Sequence, residues 1–421
     1  MMKAHLMKIA GSLLASVLAL TANAAHYVKL GPMAGQCETT SINDNAIAVG
    51  NCSPPDSSAN NKPWVVNLNT PNAQLALEPL VETQPCYASA VSNGGWIAGI
   101  CKTANNVDTA VIWNVTTPTS TPTALAPLPG TLLRAADVRT TVNAFNQRGD
   151  MLGSSISSDG KEYSTVVWLA GTGTPMRVFS SLLGLAGYND ACTPQDINNT
   201  LTSNYPGIAL NCPGSNGTTV PKLAQANATG YTVTPLPLAT GANHCVVTGL
   251  NNALQSIGFC EYPNTNANPA RTAVWNTPTS APLTLNLAIG TMNYGRAINN
   301  NGIALVERKD NDGRTSYFTW IPPAGIFGIQ LIEPPPNTWT QAFSIADNNT
   351  VALNRTNDAQ YTVGCIWHPA SGEIPAKYSC LEAIDGGRNS ALKAVSQSGN
   401  YAAGQNVDSE QDVQAVAVKL Y

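Results

Sequence analysis

One sequence phrase recurs along almost the whole chain, at a spacing of about fifty residues. It consists of an apolar residue followed by Asn or Ser, a tight polar turn, and then small and apolar residues. Its eight copies begin at Ser41, Ala90, Ala144, Asp196, Gly249, Ala297, Ser344 and Ala394. A regular period of this length is typical of stacked units that cannot bury their apolar faces alone. The repeat therefore constrains the architecture more than any other feature.

Each copy is predicted to form four short β-strands. In the first copy, residues 37–43 and 46–52 are predicted as a hairpin with a two-residue turn at Asp44 and Asn45. A third, alternating apolar segment ends in tryptophan in six copies, at Trp64, Trp113, Trp168, Trp275, Trp320 and Trp367. We expect these rings to pack between neighbouring sheets. A fourth strand is predicted at residues 75–80, 124–128, 233–238 and 283–287.

The N-terminus has the pattern of a secretory leader. Lys3 and Lys8 flank the start of an apolar stretch that runs to Leu20, and the small residues Ala22 and Ala24 frame a signal-peptidase site. We therefore predict a signal peptide at residues 1–24 and one repeat domain at residues 25–421. No later stretch has the length of about 18 apolar residues needed for a membrane span. An extracellular or periplasmic protein without membrane insertion is expected.

The composition argues against partners that recognise bulk charge. Only 11% of the residues are charged, and the net charge is −4. Loss of Lys3 and Lys8 with the leader would make the net charge −6. Because no basic cluster is present, nucleic-acid binding is not expected. We expect a monomer whose partner is a glycan, a peptide or a surface protein.

The two ends of the chain distinguish a closed ring from an open solenoid. The last copy ends after its third strand, whereas residues 27–30 have the pattern of a fourth strand and precede the first copy. Pairing of the two ends would complete an eighth sheet and remove exposed sheet edges. The sequence predicts an all-β, eight-bladed β-propeller of four-stranded antiparallel blades, closed by the N-terminal strand.

Ten cysteines in an exported chain predict five disulfides. Four pairs are centred on the predicted hairpin turns: Cys37–Cys52, Cys86–Cys101, Cys192–Cys212 and Cys245–Cys260. A fifth pair, Cys365–Cys380, is predicted between strands three and four of the seventh copy. Opposed positions of an antiparallel pair lie within the Cβ separation that a disulfide requires. We therefore expect all five bridges to lie within single blades.

The repeated phrase, in the form Ile-Asn-x-x-Gly followed by an apolar strand that ends in Trp, resembles a bacterial extracellular repeat family. That family is named for its His-Ala-Phe (HAF) motif, and the resemblance covers all eight copies. Thr109, Ser164, Thr272 and Tyr317 begin the triplets that stand where His-Ala-Phe is expected, and the disulfides are additional. The resemblance implies a propeller-like β architecture and export, but no reaction and no catalytic residues.

Searches for catalytic motifs find little. Only His26, His244 and His368 follow the leader, and no Gly-x-Ser-x-Gly, His-Glu-x-x-His, Cys-x-x-Cys or phosphate-binding loop is present. Asp and Glu total 25, so a carboxylate pair for glycoside hydrolysis stays open, although none recurs in a diagnostic arrangement. No catalytic residue is assigned.

One rim sector differs from the others at the predicted cystine positions. The sixth and seventh copies place Asn293 opposite Arg308 and Thr340 opposite Arg355. Tyr294 and Trp339 adjoin these arginines, so the sector combines aromatic planes with guanidinium forks, which suit sugars or carboxylates. The ligand-binding candidates are Trp339, Arg308, Arg355 and Tyr294, although an ordinary polar rim would look similar.

No cofactor is predicted, apart from a calcium alternative. Asp310 and Asp312 precede Gly313 and resemble the start of an oxygen-ligand loop. A solvated Asp/Asn/Gly turn explains the same residues, because the other ligands of a full loop are missing.

Three functions remain open at this stage. The favoured one is a secreted, non-enzymatic binding propeller. The second is a hydrolase or lyase that acts on polysaccharides, and the third is a structural envelope protein. Propellers serve all three functions, so fold alone does not discriminate between them.

Overall fold

The computed structural model describes residues 27–30, 35–54, 61–71, 73–119, 121–131, 135–179, 190–202, 204–228, 230–263, 268–288, 290–332, 338–381, 383–384 and 386–420. The predicted leader at residues 1–24 lies outside these residues. In the segments described, no helix has the length and apolar character needed to cross a membrane.

Short β-strands form nearly all of the regular structure. The first strand is β1 (Tyr27–Lys29). Blades one to four contain β2 (Gln36–Ile42), β3 (Ile47–Ser53), β4 (Lys62–Asn67), β5 (Leu75–Ala76); β6 (Cys86–Val91), β7 (Trp96–Lys102), β8 (Asp108–Asn114), β9 (Thr123–Ala124); β10 (Arg139–Phe145), β11 (Met151–Ile156), β12 (Tyr163–Trp168), β13 (Met176–Arg177); β14 (Thr193–Thr202), β15 (Tyr205–Pro213), β16 (Thr219–Asn227) and β17 (Gly230–Pro235).

Blades five to eight contain β18 (His244–Leu250), β19 (Ser256–Glu261), β20 (Ala270–Trp275), β21 (Leu283–Thr284); β22 (Met292–Ile298), β23 (Ala304–Lys309), β24 (Thr315–Trp320), β25 (Ile329–Ile332); β26 (Thr340–Ile345), β27 (Val351–Thr356), β28 (Thr362–His368), β29 (Lys377–Cys380); β30 (Asn389–Val395), β31 (Tyr401–Val407) and β32 (Val413–Lys419). Two short 3-10 helices lie at Ser215–Gly217 and Pro322–Gly328.

The sheets confirm the predicted eight-bladed propeller. Seven four-stranded antiparallel sheets follow the chain order, and the eighth has the order β1-β32-β31-β30. In the eighth sheet, Tyr27 lies opposite Val418 and Lys29 lies opposite Val416. The outermost strand of this sheet therefore comes from the N-terminal part of the chain and the other three from the C-terminal part.

The inner hairpin turns differ from the sequence prediction. The first turn contains three residues, 44–46, because the Asn43 N–H donates to the Ile47 carbonyl and the Ala46 N–H donates to the Asn43 carbonyl. Its third residue, Ala46, has a φ of 61°. A type I turn followed by a left-handed residue is the usual three-residue hairpin. Asn43 favours it, since its Oδ1 accepts the N–H groups of Asn45 and Ile47.

A ring of hydrogen bonds joins the inner turns of all eight blades. Its members are Asp44, Asn93, Gln147, Asn199, Asn252, Asn300, Asp347 and Gln397, which we call the axial ring. The N–H of each of the first six donates to the side-chain oxygen of the next member, over 2.7 to 3.0 Å. The Asp347 N–H donates to the Gln397 carbonyl, and the Ser398 N–H donates to Asp44 Oδ1. The Asn199 amide also contacts Gln397 across the axis, at 3.3 Å.

The core lies between neighbouring blades, as predicted from the recurrent tryptophans. All six of them are at most 1% exposed. Several indole N–H groups donate to the connection that precedes their blade, as Trp113 does to the Glu78 carbonyl at 2.7 Å. Gly50 lies directly against the Trp64 ring, where a Cβ would approach the ring within 2.4 Å. The large rings thus fill the space between sheets that small residues leave.

The five predicted disulfides are confirmed. Cys37 lies opposite Cys52 in the register of β2 and β3. The pairs in blades two and five have the same arrangement. Cys365 and Cys380 are opposed in the outer strands β28 and β29, so blade seven alone carries its cystine at the outer edge.

Candidate binding pocket on blade seven

The candidate site lies on one face of the propeller. We call this the loop face: it carries the turns between second and third strands and the connections from each fourth strand to the next blade. The predicted register at this face is correct, because Asn293 lies opposite Arg308 and Thr340 lies opposite Arg355. These pairs occupy the positions that hold cystines in blades one, two and five.

Arg308 and Tyr294 lie in blade six, where each has its own partners. Arg308 Nη2 lies 2.7 Å from Asp310 Oδ1, which makes an ion pair, although its angle is not that of a hydrogen bond. The Tyr294 ring contacts Phe259 edge to face, with centroids 5.0 Å apart, and Lys309 Nζ lies 5.6 Å from its centroid. Arg308 Nε is also buried without a hydrogen-bond partner, but the guanidinium of Arg308 already has Asp310 as its ion-pair partner.

Trp339 stands at the rim, beside Arg355 but on the other side of the sheet. Its side chain is 52% exposed. Its N–H donates to Thr356 Oγ1 and its carbonyl accepts the Thr356 N–H, each at 2.9 Å. Since side chains alternate along a strand, Trp339 points away from the face that carries Thr340 and Arg355. It is therefore an exposed neighbour of the pocket described next, not part of its lining.

A pocket of about 390 Å³ lies at the loop-face end of blade seven, and we call it the blade-seven pocket. Arg355 at the end of β27, Tyr361 just before β28, and Arg388 in the connection to blade eight contribute its main polar groups. Val363, Cys380 and Leu381 form its apolar floor. Arg355 and Arg388 are the charged side chains among the described lining residues.

The two arginines are held in place by tyrosines. The Arg388 Nη1 group donates to the Tyr361 hydroxyl at 2.7 Å, and its guanidinium carbon lies 5.4 Å from the Tyr361 ring centroid. Arg355 lies over the Tyr378 ring, with 5.1 Å between its guanidinium carbon and the centroid. Cation–π contacts of this kind orient a guanidinium without neutralising its charge. Among the described residues, neither arginine forms an ion pair.

Two buried polar atoms lack hydrogen-bond partners, one on the pocket residue Arg355 and one on Thr340, which lies outside the lining. They are Arg355 Nε and Thr340 Oγ1, which belong to opposed residues of β26 and β27. A buried donor without a partner is costly, commonly by about 1–3 kcal/mol. An anionic ligand oxygen that reached Arg355 would satisfy this donor with a charge-assisted hydrogen bond.

The structure thus keeps one of the four predicted ligand-binding residues in a pocket, Arg355, and adds Tyr361 and Arg388, while Tyr378 contacts Arg355 from outside the lining. The sequence contained one signal for this location. The cystine of the seventh copy is displaced to the outer strands, which leaves an arginine at the inner position. Tyr361 lies in a turn and Arg388 lies in a connection between blades. Their positions in the pocket depend on the paths of these two loops, which the repeat pattern does not indicate.

Two carboxylates, the buried Glu307 and the half-buried Asp196, have structural roles. Glu307 is 6% exposed, and its Oε2 accepts from Arg296 Nη2 at 2.6 Å while its Oε1 lies 3.4 Å from Lys309 Nζ. Burial, together with Glu307, raises the pKa of the neighbouring Tyr317 to about 12. Asp196 accepts the N–H groups of Leu250 and Ile197 at 2.7 and 2.8 Å, and burial raises its pKa to about 6.

The candidate calcium loop is a tight turn with paired carboxylates. The Gly313 N–H donates to the Asp310 carbonyl, and Asp312 Oδ2 lies 3.1 Å from Arg314 Nε. Over the described ranges, no group of three or more His, Cys, Asp and Glu side chains is placed to hold a metal ion. Calcium at this turn would have to displace the arginines that face Asp310 and Asp312, and its binding remains a prediction.

Comparisons with known proteins identify the fold. No protein-family model matches the chain. No curated protein matches it either. Among solved structures, the chain is similar to the Dos1 propeller, with 10% identity, 92% of this chain and 93% of that chain covered, and a TM-score of 0.53.

Two further similar structures are larger enzymes. One of them is a prolyl endopeptidase, with 10% identity, 88% of this chain and 54% of that chain covered, and a TM-score of 0.54. The other is a post-proline cleaving enzyme from Rickettsia typhi, with 8% identity, 92% and 58% covered, and a TM-score of 0.51. This chain therefore spans little more than half the length of either enzyme. At such low identity, all three comparisons show a shared propeller fold and nothing about activity.

Proposed function

We propose that this protein is an exported β-propeller that binds a carboxylate-bearing glycan in the blade-seven pocket without transforming it chemically. The observation that carries the proposal is the pair Arg355 and Arg388, which share one pocket, each lie over a tyrosine ring, and have no ion-pair partner among the described residues. Two guanidinium groups in one pocket favour an anionic ligand.

The chemistry of the lining suits a uronic acid. A guanidinium presents parallel N–H donors that match the two oxygens of a carboxylate. Asn357 and the Tyr361 hydroxyl offer neutral hydrogen-bonding groups for sugar hydroxyls, and Val363 and Leu381 offer an apolar surface for the ring. The pocket therefore has a counterpart for each part of an acidic sugar.

The placement of the carboxylates supports binding over hydrolysis. Glycoside hydrolysis requires two carboxyl groups on either side of the scissile bond. The described lining of the blade-seven pocket contributes none, and the buried Glu307 and the half-buried Asp196 are engaged elsewhere.

Export and family membership are part of the same proposal. Five disulfides suit an oxidising compartment outside the cytoplasm. Together with the leader-like N-terminus, they support secretion or residence in the periplasm. The repeated phrase supports membership of the HAF repeat family.

The proposal predicts that the two arginines are needed for affinity. Arg355→Gln and Arg388→Gln should each weaken binding of an oligogalacturonide tetramer about tenfold or more, because each removes a charge-assisted contact. Isothermal titration calorimetry measures the affinity, and thermal melting checks that the fold persists. Arg314→Gln is the matched control, since Arg314 is an exposed arginine in a loop-face turn outside the pocket.

Three outcomes would contradict the proposal. Unchanged affinity in both pocket variants would show that the tetramer does not bind there. Release of new reducing ends from polygalacturonate would show a polysaccharide-active enzyme. Tighter binding of a peptide with a free C-terminal carboxylate than of any acidic sugar would show a peptide-binding propeller.

A further inference from the structure

A second pocket lies on the loop face, between blades three and four, and we call it the blade-three/four pocket. Its volume is about 520 Å³, larger than that of the blade-seven pocket at about 390 Å³. Its polar lining consists of Thr141, Asn143, Ser154, Lys161, Tyr163 and Thr193. No acidic side chain belongs to its described lining, and Lys161 is the one cation there.

The half-buried carboxylate of Asp190 fixes one wall of this pocket. Asp190 Oδ2 accepts the Thr165 N–H at 2.7 Å, and Asp190 Oδ1 accepts the Thr165 hydroxyl and the Cys192 N–H, each at 3.0 Å. The Asp190 N–H donates to the Tyr163 carbonyl at 3.2 Å. The start of blade four is thereby fastened to β12, and the wall is preorganised.

The backbone beside Asp190 is strained. Ala191, which lines the pocket, has a φ of 50°, in the left-handed region that L-residues other than Gly, Asn and Asp seldom adopt. Such strain persists only where the surroundings over-determine it, and it is concentrated at ligand sites. The Asp190 hydrogen bonds supply that restraint here.

The lining combines the groups that bind sugar rings. Tyr163 is 41% exposed and presents an aromatic plane, while Ile156 and Pro194 add apolar surface. The hydroxyl and amide side chains match the hydroxyl groups of a sugar, and Lys161 can pair with a carboxylate. Concave sites of this composition, mostly apolar with a few placed polar groups, are typical of small-molecule pockets.

The two pockets lie on the same face and on nearly opposite sides of the ring. Both are formed by a turn between second and third strands and a connection into a first strand. Blade seven is about half a turn of the eight-bladed ring from the boundary of blades three and four. A single long polysaccharide that crosses the loop face could therefore occupy both.

We propose that the blade-three/four pocket is a second subsite for the same acidic polysaccharide, so that the propeller binds long chains bivalently; this inference rests on the function proposed above. Occupation of the first subsite holds the rest of the chain at high local concentration near the second. Bivalent attachment of this kind commonly raises affinity by 10²–10⁴. Recognition then depends on chain length as well as on charge.

The test compares a galacturonate tetramer with long polygalacturonate on the intact protein. The long chain should bind about a hundredfold more tightly than the tetramer, expressed per chain. Tyr163→Ala and Lys161→Gln should abolish most of this length-dependent gain and leave the tetramer affinity unchanged. Tyr87→Ala serves as the control, because Tyr87 is a 50% exposed tyrosine outside both pockets.

The outcomes separate this inference from the function on which it rests. If Tyr163→Ala and Lys161→Gln leave the length-dependent gain intact while Arg355→Gln still weakens the tetramer, the second subsite is overturned and the first stands. If the wild-type protein binds tetramer and long chain equally, the second subsite is likewise overturned. If it binds neither, or if the arginine variants change neither affinity, both proposals fail.

Discussion

The asparagine of the repeated phrase has two structural roles at once. In blade five, Asn251 Oδ1 accepts the N–H groups of Ala253 and Gln255 and so shapes the turn. Its Nδ2 donates to the Asn299 carbonyl of the next blade at 3.1 Å. The recurrence of Asn was visible in the sequence, but the link between blades was not, because it joins residues about fifty positions apart. The axial ring was missed for the same reason.

A single carboxylate near the axial ring predicts a pH dependence of stability. Burial raises the pKa of Asp196 to about 6, from an ordinary value of 3.8. The folded protein therefore holds a proton that the unfolded chain has released, and stability falls as pH rises through the window from about 4 to 6. The shift corresponds to about 3 kcal/mol at most.

Asp196→Ser should remove this contribution while keeping one hydrogen bond. In blade one the equivalent residue is Ser41, whose hydroxyl accepts the Val91 N–H of the next blade at 3.2 Å. The free energy of unfolding of the variant, minus that of the wild-type protein, should therefore increase as the pH rises from 4 to 6. Urea unfolding at several pH values measures this difference. A difference that stays constant across this range would show that Asp196 does not titrate there.

At the scale of elements, the strands and cystines could be predicted because each depends on local pattern. Alternating apolar residues place the strands, and opposed positions around a turn place Cys37 and Cys52. Turn geometry was less accessible: the inner loop of blade one contains three residues, because Asn43 closes that turn with its side chain. The pockets were least accessible, since the positions of connection residues such as Leu381 and Arg388 are determined by tertiary packing.

A turn between second and third strands offers an element-scale prediction. Gln411 is exposed and has a φ of 70°, whereas Gly160 and Gly313 occupy the equivalent positions in blades three and six. Gln411→Gly should raise the free energy of unfolding by about 0.5 to 1 kcal/mol, because relief of left-handed strain exceeds the added chain entropy. Glu410→Gly is the control: Glu410 is exposed in the same turn without positive φ, so this change should lower stability.

At the scale of the whole molecule, contacts between the first and eighth blades join distant parts of the chain. Glu38 Oε2 lies 3.4 Å from Lys393 Nζ, and the Thr39 hydroxyl donates to the Val416 carbonyl at 3.2 Å. Leu30 is 1% exposed in the apolar cluster between these blades. In an eight-bladed ring of this kind, each sheet packs against another sheet on both sides. The ring also fixes the distance between the two pockets on the loop face.

Closure by the N-terminal strand can be tested at Leu30. Its N–H donates to the Ala415 carbonyl at 3.0 Å, just as the Leu77 N–H in blade one donates to the Pro63 carbonyl at 2.9 Å. Leu77 is 3% exposed, so the two leucines are matched in burial and position.

If β1 acts as a regular fourth strand, Leu30→Ala and Leu77→Ala should lower the free energy of unfolding by similar amounts, about 2–5 kcal/mol each. Hydrogen exchange should then accelerate in both the first and the eighth blade for Leu30→Ala, because the cavity opens the contact between them. A wild-type unfolding curve for Leu30→Ala, beside a destabilised Leu77→Ala, would show that the ring is held shut by the axial ring and the inner strands alone.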